Sequence, residues 1–393
     1  GWPAALRPAT ASAWPAKVSA ARPSALLRPP GWLGEGPCPA AAEVLQEYLR
    51  YHAAARERLR KGKEERVLVY RCSALGFCGG HGDRLNGLLG VFLLAVAARR
   101  AFFIDAPRPV PLELLLAPRR RPGACGGEGD LLLDWRMHGA VAAAGRRVNY
   151  NDRYNDMVAD IPWLLSGESE NVVVLHSNQR ISAPLLRSPE ARAALGAGAA
   201  AELLATPWLH ADLMEVLFEP SPLLAARYAK VSSAARNGRR RLLAIHFRAG
   251  NRSPERWSDP PRHALADLEA FLLCAAEVEK HLGWQPDEVA WYVASDTAEV
   301  EALPLFAQLR AQGKIAFLPA GHNDAAIVHL DRSPMAVAVH GLTDTWAQWL
   351  TIASAEAVVL STSNFGVTAA EAGRVRHAFL GTGGCLPADV TAV

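Results

Sequence analysis

A chain of 393 residues, half of them apolar and 21% charged, is long enough to bury two cores, and this excludes a single small module. Its 42 Lys and Arg against 39 Asp and Glu leave a net charge of +3, too little to make nucleic acid or an anionic membrane the expected partner, so any basic site is local. The longest apolar run, Leu88 to Ala98, falls short of the ~20 residues that a membrane-spanning helix needs.

Residues 1–40 are dominated by Ala, Pro, Arg and Ser with no period of 2 or 3.6, and they read as a poorly ordered stem. From Ala40 to Lys63 the helix formers return, with Val44, Leu45, Tyr48 and Leu49 on one face, which predicts a surface helix. Arg66–Tyr70 (RVLVY) reads as a short buried strand. A glycine-rich loop, an apolar helix over Leu85–Arg100 and a second strand, Ala101–Asp105, complete a βαβ unit. Asn171–Ser177 is a third strand, and the Pro-, Gly- and Arg-rich stretch before it reads as loops. This places a first Rossmann-like domain over 41–236.

After a basic hinge, Asn237–Arg241, the alternation restarts in a second domain, 237–393. Strands are expected at Leu242–Gly250, Ala290–Asp296, Ile315–Pro319 and Ala357–Ser363. Helices are expected over Leu265–Leu282, from Thr297, around Thr343–Ala353 and over Phe365–Gly373. Such alternation on both sides of a hinge implies an α/β chain of two doubly wound parallel sheets facing each other across a cleft, with ligands at the carboxyl ends of strands.

The six cysteines fit no zinc spacing, and neither CxxC nor HExxH occurs, so no thiolate metal site is expected. An even count is compatible with disulfides in an oxidising lumen, in any of 15 pairings, and also with buried thiols in the cytosol. Cys72 and Cys78, which bracket a short loop, are expected to pair in such a compartment.

Four clusters fall on predicted strand ends. Gly79, Gly80 and Gly82 allow a tight turn into a helix, either to let its amides face an anion or for the sterics of a sharp turn alone, with Arg84 as a fixed cation and Asp83 as a site residue or a helix cap. His246 and Arg248 share one face at the end of the second domain's first strand, where an arginine fork suits a diphosphate, or an internal ion pair. Ser295, Asp296 and Thr297 form a third cluster, in which Asp296 accepts hydrogen bonds from a nucleobase edge or ribose hydroxyl, or caps a helix. The fourth is Leu360–Gly373 (LSTSNFGVTAAEAG), small hydroxyls running into a helix as a phosphate cradle or as no more than a helix cap.

The sequence CGGHGDRLNGLLGVFLLAVAARRAFFID (Cys78–Asp105), with HSNQR (His176–Arg180), IHFRAGN with RWSDPPR (Arg256–Arg262), YVASD (Tyr292–Asp296), HLDRS (His329–Ser333) and AVVLSTSNFGVTAA (Ala357–Ala370), resembles the GDP-fucose-dependent fucosyltransferases: the α1,2-, α1,6- and protein O-fucosyltransferase superfamily of GT-B fold. The resemblance implies transfer of L-fucose from GDP-fucose to a hydroxyl of a glycan or glycoprotein, with inversion, in the Golgi or ER lumen. It implies no metal and no cofactor beyond the donor, in keeping with the missing D-x-D motif. It also leaves room for a membrane anchor outside this chain. By the same resemblance Arg248 binds the β-phosphate and assists departure of GDP, and His246 contacts the nucleotide. Gly80, Gly82, Asp83, Arg84 and Asn86 face donor and acceptor, and Ser295, Asp296, Ser363, Asn364 and Phe365 line the nucleotide.

Glu255, Asp83 and Asp259 compete as general base, and a mechanism led by leaving-group stabilisation needs none. Asn251 stands where relatives commonly carry an acid, which leaves an inactive carbohydrate- or nucleotide-binding relative as an alternative. Asn251-Arg252-Ser253 is also a glycosylation sequon, but Pro254 disfavours its use. A dinucleotide-binding oxidoreductase is the other alternative, since Asp105 ends a strand some twenty residues past Gly80 and Gly82. Against it, Leu85 replaces the third glycine, and the glycine cluster does not leave the strand directly.

Overall fold

Helix α1 (Ala40–Arg60) lays Tyr51, Ala55 and Leu59 against Val67, Val69, Ala101 and Phe103, so its apolar stripe becomes part of a core. The structure is a computed structural model, and it describes residues 40–72, 78–122, 130–137, 145–166, 169–250, 261–317 and 335–391. Two buried polar groups fasten α1 to the sheet beneath it: the Tyr48 hydroxyl donates to Arg100 O at 2.8 Å, and His52 Nε2 lies 2.9 Å from Phe102 O.

That sheet consists of β1 (Val67–Arg71), β2 (Ala101–Asp105), β3 (Arg146–Asn149) and β4 (Val172–His176), all parallel in the order β2-β1-β4-β3. Every residue of β1 is buried, as its continuous apolar run requires of a strand covered on both faces. Helix α2 (His81–Ala97) links β1 to β2 and buries most of its length; it is apolar all round because protein surrounds it. Strand β3 lies in a stretch that the sequence reads as loop. It is an edge strand whose Arg146, Arg147 and Asn149 are exposed, so it carries no apolar alternation to reveal it. Among the described residues, six short helices lie between Tyr154 and Leu217.

The second sheet has the order β7-β6-β5-β8-β9-β10, with β5 (Arg241–Phe247), β6 (Val289–Ser295), β7 (Ile315–Phe317), β8 (Ala357–Leu360), β9 (His377–Leu380) and β10 (Leu386–Pro387). All pairs are parallel except β9 with β10. Alternate residues of β5 and β6, among them Leu243, Ile245, Phe247, Trp291 and Val293, pack with Phe271, Leu272 and Val278 from the helix Leu268–His281 into a closed core. One buried ion pair lies beneath it. Lys314 Nζ donates to Glu279 at 2.9 Å and to the carbonyls of Pro286 and Val289, while Trp291 Nε1 donates to the other Glu279 oxygen at 2.8 Å, so neither charge lacks partners.

The chain divides into two units; one boundary falls at Leu223/Leu224, inside the helix Pro222–Arg236 and ahead of the Asn237–Arg241 hinge, and Met335–Ala338 groups with the first unit. The reason is visible in that helix's contacts: Arg227 ion-pairs with Asp344, and Arg236 reaches Glu356 at 3.3 Å and Ser354 O at 2.9 Å, all in the second unit. Disulfides join Cys72 to Cys78 and Cys274 to Cys385. The first is the expected pair, while Cys38 and Cys125 lie outside the described residues. Among the described residues, no helix is long and apolar enough to cross a membrane.

Candidate functional site

In the second unit, β5 ends at Phe247 and β6 at Ser295, three and one residue short of the expected strands, so Arg248 and Asp296 both sit just past a strand end. In register, Ala294 pairs with His246 and Ser295 with Phe247, which makes Asp296 and Arg248 neighbours. Asp296 Oδ2 lies 3.2 Å from Arg248 Nε. The same carboxylate accepts from the amides of Ala249 at 2.8 Å and Gly250 at 2.9 Å. Of the two roles open to Arg248, the ion pair is therefore present in the fold.

His246 points into the turn between β8 and the helix Asn364–Ala372. Its Nδ1 lies 3.0 Å from the Ser361 hydroxyl, and its ring stacks on Phe365 with centroids 5.3 Å apart. The approach is close enough to require glycine: a Cβ on Gly366 would stand 2.8 Å from His246 Nδ1. Burial, reinforced by the Arg248 charge, pushes the imidazole down to about 3, so His246 is neutral near pH 7. Ser363 is the residue before that helix, in extended conformation, with its amide on Ser361 O at 2.8 Å; Asn364 is exposed and Phe365 half-buried. Ser295 turns its hydroxyl back to accept from the Thr297 amide at 3.2 Å.

In the first unit, α2 begins at His81, four residues ahead of its expected start, because the glycine turn itself caps it. Gly79 takes φ +78°, where a Cβ would meet Asp83 Cβ at 2.8 Å, and the Asp83 carboxylate accepts from the Gly80 amide at 3.0 Å. Arg84 braces the turn, donating from Nε to Gly79 O at 3.1 Å and from Nη1 to Arg108 O at 2.9 Å. Gly82 and Asn86 are buried on α2, and among the described residues the Asn86 Oδ1 has no hydrogen-bond partner. At the strand ends Arg71 pairs with Asp105 at 2.5 Å. The carboxylate that a dinucleotide ribose would need is thus engaged by a cation of the next strand.

Sequence reasoning missed Ser361 as the partner of His246 and Gly366 as its contact; both lie in the quoted LSTSNFG stretch, where small residues on a strand-to-helix turn were the available signal. Asn251, Glu255 and Asp259 lie outside the described residues, as does His329–Ser333. Among the described residues no group of three or more His, Cys, Asp or Glu is placed to hold a metal ion.

No protein-family model and no curated protein matches the chain. Among solved structures, it is similar to a point mutant of Arabidopsis thaliana FUT1 in complex with GDP, at 14% identity and a TM-score of 0.58, over 86% of this chain and 78% of that one. It is also similar to the fucosyltransferase NodZ from Bradyrhizobium, at 13% identity and a TM-score of 0.47, over 84% of this chain and 100% of that one. The likeness to FUT1 shows the fold: the two parallel-sheet units are those of the GT-B class.

Proposed function

We propose that the chain is an inverting, metal-independent glycosyltransferase that moves L-fucose from GDP-fucose to a hydroxyl of a glycan or glycoprotein. The observation that carries this reading is the placement of an arginine, a neutral histidine stacked on an aromatic ring, and the start of a helix at adjoining strand ends of one sheet, within a fold similar to that of a protein bound to GDP. Fold alone does not assign chemistry, so the argument rests on those groups.

In such a transfer the acceptor oxygen bonds to the anomeric carbon as the bond from that carbon to the β-phosphate oxygen breaks, and negative charge grows on the departing GDP. Arg248 stabilises that charge, which is greater in the transition state than in the bound donor. His246 stays uncharged and holds its ring against Phe365, where a nucleotide can lie beside it. The acceptor proton passes to a carboxylate or to solvent. Of the candidates, Asp83 already accepts from the Gly80 amide, an arrangement that serves the α2 turn first. The two disulfides support a setting in an oxidising lumen of the secretory pathway.

The test is calorimetry of GDP, UDP, ADP and NAD binding with and without EDTA, followed by transfer from labelled GDP-fucose. GDP selectivity unchanged by EDTA, together with transfer, is expected. A requirement for Mn²⁺ removes metal independence, and GDP binding without transfer to any hydroxyl acceptor turns the assignment to an inactive relative.

A further inference from the structure

We infer that Asp296 is the positioning residue of Arg248, fixing the arginine fork toward a diphosphate without itself touching the nucleotide. This rests on the reading of Arg248 as a diphosphate ligand. Three consecutive residues converge on one carboxylate: Arg248 as an ion-pair partner, with Nε at 3.2 Å, and the amides of Ala249 and Gly250 as hydrogen-bond donors at 2.8 and 2.9 Å. Both oxygens take part, and the Asp296 side chain is only 12% exposed. Capture of two successive amides clamps the main chain on which Arg248 stands. Gly250, at φ +83°, supplies the left-handed turn that brings its amide round to the same carboxylate. Ala249 is held from its other side as well, since its carbonyl accepts from the Arg262 amide at 2.9 Å.

The form of the ion pair favours positioning over simple burial of charge. A carboxylate that serves only to neutralise an arginine does best face to face, taking two parallel N–H groups of the fork. Asp296 is not devoted to the guanidinium: its two oxygens, one of them beside Arg248 Nε, also accept the Ala249 and Gly250 amides, so the carboxylate is shared between the cation and the backbone that carries it. The Arg248 side chain is 32% exposed, so its charge is not sealed inside the core. Holding the plane of a planar donor group beforehand removes the ordering loss that a flexible cation meets on binding an anion. A displacement of about 1 Å in such a group lowers turnover by about 100-fold.

The experiment uses the full chain with Asp296→Asn, Asp296→Ala, Arg248→Lys and the Asp296→Asn/Arg248→Lys double variant. For each, the affinities for GDP, ADP and inorganic pyrophosphate, the fucose-transfer rate and the melting temperature are measured. Asp296→Asn is expected to lower kcat by about 10- to 100-fold and to weaken pyrophosphate binding. The ratio of GDP to ADP affinity stays at the wild-type value. In the Arg248→Lys background the same substitution should add less than about 2-fold, because the group it positions is already gone.

Additive losses in the two backgrounds, or a change confined to melting temperature, overturn the proposal, and so does a shift in the GDP-to-ADP ratio, which would put Asp296 on the base. Should Asp296→Ala fail to fold, the isosteric Asn variant carries the same comparison. Fucose transfer by wild type with additive losses defeats this inference alone. Coupled pyrophosphate binding without GDP selectivity or transfer defeats the fucosyltransferase reading alone, and a wild type that binds neither GDP nor pyrophosphate defeats both.

Discussion

Arg248 and His246 stand two residues apart at the end of β5, yet their surroundings give them opposite electrical characters. Arg248 lies beside Asp296 at a partly exposed position, whereas His246 is buried against Phe365 and Gly366 and stays neutral. A fixed cation next to a neutral aromatic platform suits a nucleoside diphosphate, and it makes substitutions at the cation informative. Arg248→Lys keeps the charge and removes the planar fork. If the fork stabilises the departing diphosphate, the loss falls on kcat, by roughly 100-fold or about 2.7 kcal/mol, with GDP affinity altered much less. Steady-state kinetics beside a thermal melt decide the matter: near-normal turnover with a lowered melting temperature would leave Arg248 as the partner of Asp296 and nothing more.

At the scale of elements, strand-to-helix turns carry the site, and their tightness can be probed. Gly366→Ala introduces a Cβ within 2.8 Å of His246 Nδ1 and 3.0 Å of the Leu360 side chain. The imidazole must leave the Ser361 hydroxyl, so GDP affinity is expected to fall by at least about 10-fold, while an alanine inside a helix is otherwise favourable. Unchanged affinity would show that the close packing of His246 is dispensable. A second element-level device is the Cys274–Cys385 bond, which ties the helix Leu268–His281 to the segment after β9 across 111 residues. On chain-entropy grounds its removal by paired Cys→Ser substitution destabilises the second unit by roughly 4–5 kcal/mol, read as a lower denaturant midpoint.

Elements of this kind were unequally legible in the sequence. Strands β1, β2, β5, β6 and β8 announce themselves because a parallel strand covered on both faces must be a continuous apolar run. The edge strand β3 is written in Arg, Val and Asn and gives no such signal. The candidate residues could be placed on strand ends, but their partners could not: His246 meets Ser361 from 115 residues away, and Ala249 meets Asp296 from 47. Those pairings follow from strand order, which local pattern does not encode. Hydrophobic periodicity starts α2 at Leu85, where the apolar run begins, whereas the cap that Asp83 offers in the sequence starts the helix at His81.

Across the whole molecule the buried histidines dictate how the protein meets acid. Burial holds His52 near a pKa of about 4 and His81, His210 and His246 near about 3, all well below the 6.5 of an unfolded chain. As pH falls below 6.5 the unfolded state takes up protons that these native imidazoles refuse, so stability that is complete above that pH is lost on descending toward the folded values. Each histidine contributes about 1.4 kcal/mol per pH unit once its unfolded form is fully protonated, and the four together about 5 kcal/mol per unit. A total stability of about 5–15 kcal/mol is then exhausted within one to three units below pH 6. His52, His81 and His210 belong to the first unit and His246 alone to the second, so the loss is unequal. The first unit should open first on acidification, and calorimetry should show one flat melting temperature between pH 7 and 8 giving way to a separated lower transition near pH 5. Hydrogen exchange at pH 5 identifies the unit: protection should disappear from β1, α2 and β2 before β5 and β6. Loss beginning in β5 and β6, or a melting temperature that holds steady down to pH 5, would mean that these histidines gain protons in the native state and that their burial is not what the fold depends on.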